Sequence, residues 1–150
     1  MHTIHNAGAD EVFVLDLPWD APPLTLNQRM HHRPKGELTR QVRSTARDLA
    51  LKVGVTSMAR PAVTLVWLVT SRHARDEDNI VPTLKALADG LVDAGVAADD
   101  TPEFMRKVMP VIHYAKGHHK APGLFLLTWE AGGETADELL AIRSLRGDDK

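Results

Sequence analysis

Between residues 71 and 102 the chain reads SRHARDEDNIVPTLKALADGLVDAGVAADDTP, and this stretch constrains the rest more than any other. Three consecutive acids, Asp76, Glu77 and Asp78, open it, a helical repeat fills it, and a second acidic pair, Asp99 and Asp100, closes it. Carboxylates packed this densely disfavour one another's ionisation, so a fold that gathers them offsets the repulsion with a cation. Oxygen donors in a chain without cysteine select a hard divalent ion, magnesium, manganese or calcium, over zinc. Asp76 and Asp78 stand two apart, so on extended backbone both project to the same side and can reach one ion, while Glu77 faces away toward solvent. Asp78 and Asn79 are also good helix N-caps, which accounts for one acid but not for three and a remote pair.

The chain has 150 residues, 43% of them hydrophobic, which predicts one compact domain with a real core and peripheral tails at 1–10 and 131–150. The lack of cysteine excludes a disulfide framework and thiolate zinc sites and suits a reducing cytoplasm. No apolar run approaches the roughly 20 residues of a membrane span, and the N-terminus lacks the order of a signal peptide, so the expectation is a cytoplasmic protein without membrane contact. The formal net charge of -2 hides a segregation. Over residues 28–60, Arg29, Arg33, Lys35, Arg40, Arg43, Arg47, Lys52 and Arg60 outnumber Glu37 and Asp48, whereas over 74–101 seven acids oppose Arg75 and Lys85. A basic surface beside an acidic pocket fits a polyanion held by the one and cut at the other.

Residues 1–10 carry no periodicity and read as a mobile end. Residues 11–17 alternate as a strand that Pro18, Pro22 and Pro23 stop. Residues 25–36 form a polar, basic loop with Asn27, His31, His32 and Arg33, and loops of this kind carry function. Leu38, Val42, Ala46, Leu49 and Val53 make one stripe of a helix over 37–53 that Gly54 ends, with Arg40, Arg43 and Arg47 on its other face. Residues 61–71, rich in Val, form the strongest and most central strand. A second helix buries Ile80, Leu84, Leu87 and Leu91, presents Lys85, Asp89 and Asp93, and stops near Gly95. Two strands, 103–114 and 123–130, read as a hairpin across the turn 115–122, and a short helix is expected at 136–145. The sum is an α+β domain, β-α-β-α-β-β, with a mixed sheet of about four strands against two helices.

Two known motifs fail or fit poorly. An EF-hand counted from Asp76 requires Asp or Asn, Gly and Glu where Ile80, Val81 and Leu87 stand. A phosphatase of the haloacid dehalogenase type has its Asp-x-Asp directly after an apolar strand, and here Arg72 to Arg75 intervene. The sequence Asp76-Glu77-Asp78-Asn79, followed by Lys85, Asp89, Gly95 and Asp99-Asp100, resembles the RusA family of Holliday junction resolvases, common in phages and prophages. The resemblance is specific from Arg75 to Thr101 and looser over the proline-rich approach to Asn27. Lys85 lies farther from the acids than in the family pattern, as if three residues had been inserted. Pro82 repairs this if the helix starts there, because Lys85 then belongs to its first turn and leans back toward the acids.

The resemblance implies that Asp76, Asp78 and Asp100 bind magnesium, which manganese can replace, that Lys85 assists at the phosphate, and that the enzyme acts as a homodimer on four-way DNA junctions in a bacterial host. Asp99 and Asp100 can exchange roles as far as the residues show. Asp89 offers an i+4 partner to Lys85. Phosphodiester hydrolysis requires just such a metal and a cation at the phosphate. Asn27, Arg29, Arg33, Lys35, Arg40 and Arg43 are the expected DNA contacts. The eight histidines, including the pairs His31-His32 and His118-His119, lack the companions of a tetrahedral zinc set. A branched-DNA binding protein with weak or no cleavage is the rival expectation, with a phosphatase third.

Overall fold

The computed structural model describes residues 2–4, 11–29 and 31–131. The expected helix at 136–145 lies outside them. The central strand β3 (Pro61–Val69) has β6 (Gly123–Glu130) antiparallel on one side and β4 (Arg106–Lys107) and β5 (Val111–Tyr114) parallel on the other. Beyond β6 lie β2 (Val12–Asp16) and then β1 (His2–Ile4), both antiparallel to their neighbours. The result is a mixed six-stranded sheet in the order β1-β2-β6-β3-β4, with β5 continuing the edge that β4 begins. Two helices, α1 (His32–Val53) and α2 (Val81–Asp93), complete an α+β domain.

Three expectations change. Residues 2–4, read as part of a mobile end, pair with β2 as an edge strand. Residues 103–114 and 123–130 are not a hairpin, because β5 and β6 flank β3 on opposite sides and the connection 115–122 crosses the end of that strand. A strand as apolar as β3 requires hydrogen-bonding partners on both edges. Helix α1 begins at His32 rather than at 37, with Pro34 in its first turn, where a missing N–H costs no helical hydrogen bond.

Both helices end on a glycine with positive φ, Gly54 and Gly95, and the Val96 N–H returns to the Leu91 carbonyl at 3.0 Å to close α2. The helices cover one face of the sheet. Val42, Ala46 and Ala50 of α1 and Leu84, Leu87 and Leu91 of α2 join Leu15, Val63, Leu65, Leu124 and Leu126 in one core. Each fully buried aliphatic side chain contributes on the order of 1.5–3 kcal/mol. Gly90 sets the helix crossing: a Cβ there would lie 2.2 Å from the Arg43 carbonyl oxygen and 2.7 Å from the Ala46 Cβ. Val12, Val14, Val66, Leu68, Phe125, Leu127 and Trp129 form a second buried cluster on the other face.

Candidate active site

The chain leaves β3 at Val69, and the acids follow only after a basic segment, Arg72 to Arg75, so Asp76 does not stand at a strand end as in the phosphatase pattern. Arg75 is fixed there. Its guanidinium donates to the Ser71 carbonyl and hydroxyl at 3.1 and 2.8 Å and lies 5.1 Å from the Trp67 ring centre. Asp76 is extended and enters a 3-10 turn, Glu77–Ile80, which runs directly into α2. Strand alternation therefore does not relate Asp76 to Asp78, because Asp78 already belongs to the turn. Asp76 lines a cleft of about 280 Å³, while Glu77 faces a separate groove with Arg106 and Lys107. Among the described residues nothing hydrogen-bonds the carboxylates of Asp76 or Asp78, and both residues are exposed.

The proline-rich loop docks on this turn. Thr83, buried in the first turn of α2, accepts the Leu24 N–H at 3.0 Å and donates to the Leu24 carbonyl at 2.7 Å. The Leu26 N–H donates to the Asn79 carbonyl at 2.9 Å and the Asn27 N–H to Asn79 Oδ1 at 3.0 Å. Trp67 Nε1–H reaches the Asp20 carbonyl at 2.9 Å. These bonds make Ala21, Pro22, Thr25 and Asn27 one wall of the cleft, and Trp67, Arg75, Asp76 and Asn79 the other. They also bring Arg29, the first of the basic residues, within two positions of that wall.

Asp100 stands in a separate charge cluster. Lys85 Nζ is 3.3 Å and Lys107 Nζ 3.5 Å from its Oδ2, and the Lys107 ammonium also donates to its carbonyl. Burial alone would raise the Asp100 pKa, but hydrogen bonds from Lys85 and Asp89 and the charges of Lys107 and Lys85 outweigh it and bring it to about 2. Asp89 moves the other way: burial raises it, Lys85 opposes, and its hydrogen bond to Asp100 raises it further. Of this pair Asp89 is the one that takes a proton first. Lys85 thus leans on Asp100 rather than toward Asp76 and Asp78, and its helix begins at Val81 with Pro82 beside the start. Asp99 accepts the Asp100 N–H at 2.7 Å, a structural contact.

The donor chemistry suits a hard cation, since carboxylate oxygens are present and those of Asp76 and Asp78 are unengaged. The full set is not assembled: among the described residues no three acidic or histidine side chains are placed to hold one ion, and Asp100 is engaged by two lysines. Lys107 was not foreseen from sequence. Only the parallel pairing of β4 with β3 brings it to Asp100, and no local spacing signals such a pairing. The expected DNA contacts divide similarly. Arg29, Arg33, Lys35 and Arg40 are exposed and form no ion pair among the described residues. Arg43 is clasped by Asp93, with Nε and Nη2 at 2.6 and 2.8 Å from the two carboxylate oxygens.

Among the described residues no helix is long and apolar enough to cross a membrane. No protein-family model matches the chain. Over 93 residues it is 27% identical to an uncharacterized protein of Xylella fastidiosa, a match that covers 59% of this chain and 61% of that protein.

Proposed function

We propose that this protein is a magnesium-dependent endodeoxyribonuclease that cuts branched DNA, with the four-way junction as the substrate that its resemblance to RusA-type resolvases implies. The observation that carries the proposal is the pair of hydrogen bonds from Leu26 and Asn27 to Asn79. They fasten the start of an unpaired basic segment to the turn that bears two unengaged carboxylates. Cations to hold a phosphate backbone then follow directly on the wall of the cleft that Asp76 lines.

The resemblance assigns the magnesium, which manganese can replace, to Asp76, Asp78 and Asp100, which are not assembled around one point among the described residues, and the metal would supply the charge that activates water and stabilises the phosphate in transit. The chain's own residues do the rest. Arg29, Arg33, Lys35 and Arg40 bind phosphates and, with Asn27, orient the backbone over the cleft. Lys85 is 65% exposed at its side chain, so its ammonium can turn from Asp100 to a phosphate oxygen as a point charge. Two copies about a two-fold axis supply the two nicks that a junction requires, since among the described residues one chain carries one such acidic turn.

A second proposal, a branched-DNA binding protein with weak or no cleavage, is favoured by one observation: among the described residues the three acids form no set, and two lysines engage Asp100. Incubation with a synthetic four-way junction and a matched linear duplex, with and without magnesium, separates the two. Paired nicks in the junction only with magnesium support the nuclease. Binding without nicks in any divalent ion contradicts it.

A further inference from the structure

We propose that the connection between β5 and β6, together with Arg72, is a second phosphate-binding surface that takes a second arm of the branched DNA. This rests on the nuclease proposal above and extends it to branch selectivity. The parallel pairing of Val69 with Tyr114 brings the segment after β3 beside residues 115–120. Over 70–75 and 111–123 the chain has Arg72, Arg75, Lys116 and Lys120 and four histidines, and no acid. In a protein of net charge -2 this is segregation and not a general excess of positive charge.

The chain neutralises cations elsewhere. Arg43 pairs with Asp93, Arg47 with Asp48, and Lys85 and Lys107 with Asp100. Arg72, Lys116 and Lys120 form no ion pair among the described residues, and Arg72 and Lys116 are exposed. Arg72 is instead set over the Tyr114 ring at 3.8 Å from its centre, which holds the guanidinium in place and leaves its charge uncompensated. The loop is ordered by two successive turns, from the His118 N–H to the Ala115 carbonyl and from the Ala121 N–H to the His118 carbonyl, each at 3.0 Å. The His118 and His119 rings stack 4.6 Å apart, and His119 is exposed. The held Arg72 and the lysines that flank a stacked aromatic pair in sequence fit a nucleic acid backbone and its bases.

The location gives this surface its role. Arg72 adjoins Arg75, which lines the cleft on the wall that carries Asp76, whereas Arg29 continues from the wall that carries Asn27. Two uncompensated basic surfaces thus leave one cleft from its two walls. A linear duplex crossing the cleft requires one of them, and two arms diverging from a branch use both.

The test compares Arg72→Gln/Lys116→Gln/Lys120→Gln with Arg29→Gln/Arg33→Gln/Lys35→Gln and the parent protein. Affinity for a labelled four-way junction and a linear duplex is measured in calcium across a salt series, with circular dichroism as the check on folding. The Arg72 triple variant should bind the junction roughly tenfold or more weakly near 0.1 M salt, with its salt slope reduced by about 0.9 for each phosphate it no longer neutralises. Its duplex affinity should change far less, while the Arg29 triple variant should bind both DNAs weakly. Parental junction affinity and slope in the Arg72 triple variant overturn the inference, and an equal weakening on both DNAs overturns the assignment to a second arm. Preference of the parent for polyglutamate over either DNA also overturns it. A parent that binds neither DNA overturns the nuclease proposal itself.

Discussion

Replacing Gly90 by Ala opposes a local gain to a larger tertiary loss. In an isolated helix the change favours folding by about 1 kcal/mol, because Gly loses more backbone entropy than Ala. In this protein the new methyl would meet the Arg43 carbonyl oxygen at 2.2 Å and the Ala46 Cβ at 2.7 Å, both on the opposed face of α1. Backbone cannot swing aside as a side chain can, so α1 and α2 must separate by on the order of an ångström, which forfeits a quarter to a half of the dispersion attraction along the seam. That seam includes Val42, Ala46 and Ala50 against Leu87 and Leu91, all buried. Overpacking of this kind costs about 1–3 kcal/mol, and with the opened seam we expect a net loss of about 3 kcal/mol. For a domain of this size that lowers Tm by roughly 10 °C. Differential scanning calorimetry of parent and variant at pH 7 measures it. A Tm equal to or above the parent's would show that helix propensity governs this position and refute the close crossing.

Thr83→Val keeps the shape of a buried side chain but leaves the Leu24 N–H and carbonyl unpartnered, so it should cost about 2 kcal/mol in urea unfolding and speed hydrogen exchange in the proline-rich loop. An unchanged midpoint would contradict the docking of that loop. The Arg43 hydrogen bond lowers the Asp93 pKa, so the stability from this pair is present above the unfolded carboxyl value and is lost as pH falls through the lower folded one. Both side chains are part exposed, at 47% and 30%, so Arg43→Gln should cost less than about 1 kcal/mol at pH 7, and the gap to the parent should shrink as pH falls below about 4; a gap that does not shrink with falling pH counts against the pairing. Sedimentation at micromolar concentration, alone and with junction DNA, should show a dimer. A monomer in both conditions that still makes paired nicks in one binding event would contradict that proposal.

The elements that were legible in the sequence are those whose own residues carry a period. The unbroken apolar run of β3 marked a central strand, and the stripes through Val42 and Ala46 and through Leu84, Leu87 and Leu91 marked two helices. Pairing was not legible. The turn signals at 115–122 show that the chain reverses, but not that it passes over β3 instead of folding back on β5, a choice made by the second edge of β3. The helix start was misplaced because Pro34 and Gly36 resemble loop residues, although both fit within the first turns of α1. At the site, the acidic turn and Asn27 were visible as composition. The engagement of Asp100 by Lys107 and of Arg43 by Asp93 was not, since both contacts join elements distant in sequence.

The central claim is that the turn carrying Asp76 and Asp78 cuts DNA that the basic surfaces hold. The most direct test is the single-turnover rate of junction cleavage in magnesium by Asp78→Asn, measured beside its junction affinity. The substitution removes one charge from an exposed carboxylate that bonds nothing among the described residues, so folding should be unaffected. The account predicts that cleavage is abolished while binding stays equal to or tighter than the parent's. Cleavage by the variant at the parent's rate would contradict it.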